Sequence, residues 1–110
     1  MREPVDFIGA QAGPGEEALK ADFRRVFAVT PTVQSAYLAR IYRGSSSYPS
    51  VAVCIRSSIG VDDKVEDRLA AIFRSRFRQD QHLDFLFLLE EEEERLREVC
   101  PPFYERHRQA

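Results

Sequence analysis

From Val33 to Ser57 apolar and polar residues alternate with a period of two, interrupted once by a run of glycine, serine and proline. Val33, Tyr37, Ala39 and Ile41 contrast with Gln34 and Arg40, and Val51, Val53 and Ile55 alternate with Ala52, Cys54 and Arg56. A period of two places each set on one face of a strand. The pattern predicts two antiparallel strands, Val33 to Arg43 and Ser50 to Ser57, joined by a loop over Gly44 to Pro49. The odd-numbered sets are the expected core side. Upstream, Pro4 to Gly9 reads as a short strand, and Ala10 to Gly15 as a turn-rich connection.

Two stretches carry helical spacing instead. Leu19, Phe23, Val26 and Phe27 fall at i, i+4, i+7 and i+8, as do Val65, Leu69, Ile72 and Phe73, with Phe77 extending the second stripe. Pro14, Glu16 and Glu17 suit the start of the first helix, and Pro31 ends it. Either Asp62 or Asp63 can cap the second, and Asp63 with Glu66 has the spacing of a capping box. Leu83 to Leu89 is apolar on both faces, which predicts a strand that is central or covered on both sides. Glu90 to Glu94 opens a short third helix with an apolar edge of Leu96, Val99 and Cys100, stopped by Pro101-Pro102. Phe103 and Tyr104 follow and are expected to dock on the sheet.

The element order is β–α–β–β–α–β–α. Two right-handed crossovers linked by a hairpin give an α+β, ferredoxin-like (split βαβ) sandwich. Its antiparallel sheet would carry both long helices on one face. The other face would expose Leu38, Tyr42, Ala52, Cys54, Leu86 and Leu88, to be covered by the Glu-rich helix with Phe103 and Tyr104 or by a second copy. Leu38, Tyr42, Leu86, Leu88, Phe103 and Tyr104 are therefore the candidate interaction surface.

The 110 residues make one domain, with residues 1–4 and 106–110 as its flexible ends. Eight Phe supply much of the core, and a net charge of −2 gives no bias toward nucleic acid or anionic membranes. No apolar run approaches the roughly 20 residues of a membrane span. Cys54 and Cys100 define no disulfide framework and read as free packing thiols of a cytoplasmic protein. Neither has an adjacent histidine to generate a thiolate. His82 and Asp84 would share a strand face, but two ligands do not make a metal site, and Asp62-Asp63 lacks calcium-loop spacing. Ser45 to Ser47 and Ser57-Ser58 lie outside any G-x-S-x-G motif. The second strand of the hairpin has no aromatic RNA-binding motif, and Arg40, Arg43 and Arg56 read as a mixed solvated surface. Pro101-Pro102-Phe103-Tyr104 matches the P-P-x-Y peptide pattern and reads as a structural latch. No catalytic constellation, cofactor motif or phosphate-binding glycine loop is present in the sequence.

Taken in order, Ile8-Gly9, the run Pro31, Val33, Ala36, Tyr37, Leu38 and Ala39, the strand Leu83-Asp84-Phe85 and the terminal Pro102-Phe103-Tyr104 resemble the C-terminal domain of the bacterial SseB (enhanced serine sensitivity) family. The resemblance covers roughly positions 5 to 105. It implies a domain without established biochemical activity and without catalytic residues to carry over. Family members have an N-terminal domain ahead of this one, so a stand-alone version or a fragment is expected. The resulting expectation is a non-enzymatic protein-interaction domain, with a homodimer, an N-terminal SseB-type domain or another protein as partner, and neither nucleic acid nor membrane. The alternative is an amino-acid-binding regulatory domain linked to serine sensitivity.

Overall fold

The computed structural model describes residues 4–44 and 48–106. The expected strands and helices form as β1 (Val5–Ala10), α1 (Pro14–Ala28), β2 (Val33–Arg43), β3 (Ser50–Ser57), α2 (Asp63–Arg76), β4 (Asp84–Phe87) and α3 (Glu90–Arg97). A two-residue β5 (Tyr104–Glu105) is added at the end. Local chemistry accounts for the boundaries. Gly44 takes a φ of 56° where the chain leaves β2, a left-handed conformation that a β-carbon disfavours. Gly60, at φ 76°, turns the chain between β3 and α2. Of the two aspartates at the start of α2, Asp62 is the cap, its carboxylate accepting from the backbone N–H groups of Lys64 and Val65.

The five strands make one mixed sheet in the order β1-β2-β3-β4, with β5 also on β2. β1 and β2, β2 and β3, and β2 and β5 are antiparallel, whereas β3 and β4 are parallel. This corrects the ferredoxin-like plan, in which β1 and β2 would be parallel with another strand between them. β1 stops level with Ala39, and the last carbonyls of α1 are tied, through Arg106, to that of Val33. Helix α1 thus carries the chain onward along the direction of β1, and the reversal comes after the helix, so β2 returns antiparallel beside β1. The edge of β2 beyond the end of β1 is filled by β5 against Ser35 and Ala36.

Only β3–α2–β4 is an adjacent parallel crossover. β5 also runs parallel to β3 and β4, so β4–α3–β5 is a second crossover travelling back across the sheet. Such connections share one hand, so a return journey must cross the opposite face. That is where α3 lies. Leu19, Phe23 and Phe27 of α1 and Val65 and Leu69 of α2 share one core with Ala36, Leu38, Val53, Ile55 and Phe87. Leu96 and Cys100 share a second core with Val5, Tyr37, Ala39, Ile41, Ala52, Cys54, Leu86 and Leu88.

The faces of β2 differ from expectation. Val51, Val53 and Ile55 of β3 do face the long helices, but in β2 their neighbours there are Ala36 and Leu38, while Tyr37, Ala39 and Ile41 face α3. A register irregularity between Val33 and Ser35 leaves Val33 on the helix side and reverses the parity beyond it. β4 is covered on both faces, as its apolar run requires, but it lies at the sheet's edge.

The chain is tied down as far as its last described residue, Arg106. The Arg106 guanidinium donates from Nε to the carbonyl of Val33 (3.0 Å) and from Nη2 to those of Phe27 (3.0 Å) and Thr30 (2.9 Å). The cation stands at the negative end of α1 and adds to the backbone N–H groups of Thr30 and Val33, which bond the carbonyls of Phe27 and Thr30. Arg106→Ala is expected to cost about 1.5–3 kcal/mol by removing hydrogen bonds from a charged donor. A circular-dichroism melt measures this, and an unchanged midpoint would show that the latch holds nothing. Residues 1–3 and 107–110 lie outside the described residues.

Candidate functional site

The polar groups of the molecule converge at the seam of β2, β3, α3 and β5. Successive residues of a helix are turned by about 100°, so the five glutamates opening α3 cannot share one environment. Glu92 is buried, and its carboxylate accepts from the N–H of Leu89 at 2.8 Å, capping the helix. Glu93 faces the sheet: its Oε2 accepts from Ser35 Oγ and, at 2.6 Å, from the Tyr37 hydroxyl. Glu90, Glu91 and Glu94 remain exposed. Leu96 and Cys100 follow Glu92 at i+4 and i+8 and enter the α3-side core.

Two guanidiniums stand beside this carboxylate and a third lines the same pocket. Arg97 Nη2 donates to Glu105 Oε1 at 2.6 Å, stands 3.5 Å from Glu93 Oε2, and its guanidinium lies 5.7 Å from the centre of the Tyr37 ring. Arg56 Nη1 is 3.8 Å from Glu93 Oε1, too far for a hydrogen bond. Arg106 closes the far wall. Together with Gln34 and Ser35 these side chains line a pocket of about 230 Å³.

Burial pushes the Glu93 pKa up, but the Ser35 and Tyr37 hydroxyls, with Arg97 and Arg56, more than reverse this and hold it below the ordinary carboxylate value. Burial, then the bond to Glu93, pushes the Tyr37 phenol well above its usual range. The shifts favour Glu93 as the ionised acceptor and Tyr37 as the neutral donor, so the bond between them is charge-assisted.

A second, apolar cleft of about 220 Å³ opens between α1, α2 and the segment leading into β4. Its walls are Leu19, Leu38, Val51, Phe73, Phe77 and Leu83, with Glu16, Gln81 and His82 at the rim. Phe73 and Phe77 stack at 4.8 Å and are only half-buried. Next to this cleft lies a further recess of about 360 Å³ bordered also by Ala70, Arg74 and Phe85. Phe73, Phe77, Gln81, His82 and Leu83 border both spaces.

Residues 3–106 match the family described as SseB protein C-terminal domain. The chain belongs to that family. Neither a curated protein nor a solved structure matches it. In this SseB C-terminal domain, Ile8-Gly9 lies at the irregularity of β1, Pro31 to Ala39 enters β2, Leu83-Asp84-Phe85 enters β4, and Pro102-Phe103-Tyr104 leads into β5. The residues carrying the sequence resemblance are thus spread over three strands of the sheet and the latch.

The candidate interaction surface is dispersed. Leu38 is buried under the long helices, and Leu86 and Leu88 are buried under α3. Phe103 and Tyr104 are half-buried against the long-helix core, not on the α3 face, and Tyr104 donates its hydroxyl to the Phe27 carbonyl. Tyr42 shares the parity of Leu38 and is exposed. The face that invited a second copy is occupied by the chain's own third helix.

The remaining sequence candidates have ordinary partners. Cys54 and Cys100 are buried and unbridged, and burial pushes the Cys100 thiol up. His82 Nε2 and Asp84 Oδ1 meet at 2.6 Å. Among the described residues no group of three or more His, Cys, Asp or Glu could hold a metal ion. Arg43 and Arg56 lie at opposite ends of the hairpin, paired with Val5 and Ser35. Ser57 accepts from the N–H of Ile59, while Ser45 to Ser47 lie outside the described residues. The seam itself was hidden from sequence reasoning. Its one local signal, Glu93 and Arg97 at i and i+4, is common on solvated helices.

Proposed function

We propose that this SseB C-terminal domain is a binding module without chemistry of its own, and that the cleft beside Phe77 takes an apolar side chain of a partner protein. The observation carrying this reading is a concave, carbon-lined space walled by two half-buried aromatics. Pockets of this kind, with a few polar groups at the rim, are where ligands bind. A cavity of about 150 Å³ lined by such side chains admits a benzene ring, so about 220 Å³ suits one leucine- or phenylalanine-sized group. An N-terminal SseB-type domain or another protein would supply it. Pairing of two copies through the sheet finds less support, because α3 covers the face it would use. Two unbridged, buried thiols fit a reducing cytoplasm.

The second reading, amino-acid binding, uses the same cleft with a free ligand. N-acetyl-phenylalaninamide and N-acetyl-leucinamide present a side chain without a free carboxylate, and free phenylalanine, leucine and serine present the amino acid itself. The expected result is saturable NMR shifts around Phe77 with the capped amides, and a stability gain of about 2.7 kcal/mol at about 100 times the dissociation constant. Val51→Phe fills the cleft and removes both effects. Shifts only with the free amino acids would favour the second reading. No saturable shift near Phe77 with any of them would overturn both.

A further inference from the structure

We infer that the pocket between Arg56, Arg97 and Arg106 is a recognition site for a single carboxylate group. Its donors are unequally committed. Arg106 is spent on three backbone carbonyls, and Arg97 on Glu105 and Glu93. Arg56 is not: its Nη1 is buried without a hydrogen-bond partner, and the nearest carboxylate oxygen stands 3.8 Å away. A buried guanidinium nitrogen without a partner is costly, and Arg56 lines the pocket with its side chain 29 % exposed. Glu93 does not satisfy it, because the two hydroxyls and Arg97 all engage Oε2 and hold the carboxylate toward β2.

Charge selects the ligand. Three guanidiniums face two carboxylates, Glu93 and Glu105, which leaves one positive charge in excess. A monoanion neutralises it, whereas a dianion such as phosphate sets its second charge against both glutamates. The planar edge of a guanidinium matches the two oxygens of a carboxylate. Gln34 on the rim adds an amide able to bond the atoms next to that carboxylate. The pocket is separate from the Phe77 cleft and shares no lining residue with it.

The carboxylate can come from a free small acid or from the end of a peptide chain. Acetate represents the first source and N-acetylglycine the second, with N-acetylglycinamide and inorganic phosphate as controls. Titration of the full chain, followed by the NMR signals of Arg56, Ser35 and Glu105, is expected to saturate with acetate or N-acetylglycine. The amide should produce no shift and phosphate should bind more weakly. Tighter binding of N-acetylglycine than acetate assigns the pocket to a chain terminus, and equal binding to free acids. Arg56→Gln should weaken binding roughly tenfold or more, the size of one charge-assisted hydrogen bond. Gln34→Glu, which leaves Arg56 in place, adds a like charge at the rim and should weaken it too, so the test stands even if Arg56→Gln does not fold. Equal response to the amide, tighter binding of phosphate, or unchanged affinity in whichever of these variants folds would overturn the assignment.

Discussion

Replacing Phe27 with alanine is expected to remove a large part of the stability margin of this domain. The side chain is fully buried, and its ring lies 6.3 Å from that of Phe23, 6.0 Å from Phe103 and 5.3 Å from Tyr104. Phe27 joins the last turn of α1 to the C-terminal latch, so the cavity would open where two segments distant in sequence meet. Phe→Ala changes in cores cost about 3–5 kcal/mol, against a typical total of about 5–15 kcal/mol. In a domain of this size each kcal/mol moves the melting temperature by about 4–8 °C. Phe73→Ala should cost less, because Phe73 is half-buried at the cleft wall. Urea unfolding of the two variants measures both values. A Phe27→Ala cost no greater than that of Phe73→Ala would show that the latch does not close the core.

Removing the Tyr37 hydroxyl should destabilise the protein in a pH-dependent way. Tyr37→Phe deletes one of the two hydroxyl donors to Glu93 and leaves the ring in its place over the α3-side core. A hydrogen bond to a charged group is worth about 1.5–3 kcal/mol, against about 0.5–1.5 for a neutral one. The folded-state pKa of Glu93 is held below its unfolded value, near 4.3 for a free glutamate. The unfolded chain therefore takes up the proton first as the pH falls. The stabilisation is complete above the unfolded value and is lost as the pH drops through the folded one. The gap between wild type and Tyr37→Phe should accordingly be widest near neutral pH and shrink below about pH 4. Urea unfolding at neutral and acidic pH checks this. A gap that stays constant or widens in acid would mean that the Glu93 charge is not what Tyr37 supports.

The seam and the cleft differ in how far the sequence discloses them. The apolar stripes of α1 and α2 were legible from spacing alone, and with them most of the cleft wall, since Leu19, Phe73 and Phe77 belong to those stripes. That Phe73 and Phe77 share their hollows with Gln81, His82 and Leu83 was not legible, because it depends on where the chain turns between α2 and β4. Glu93 was one of five adjacent glutamates, and Arg97 four residues on sets it apart no more than Arg95 does Glu91. Only the docking angle of α3 turns it toward Ser35 and Tyr37. Arg106 read as part of a polar tail, and its role appears once Tyr104 and Glu105 pair with Ala36 and Ser35.

By itself, then, the order of residues determined the α+β class, the strands and helices, the two greasy stripes and the membership of the SseB C-terminal family, because these rest on periodicities and end signals spanning a few turns of chain. The tertiary structure decided which strands are neighbours, which face of β2 lies under which helix, and which charges meet. Alternation is identical for both faces of a strand, a single irregularity near Ser35 reverses it, and the path of α1 along β2 rather than back across the sheet replaces a parallel pair with an antiparallel one.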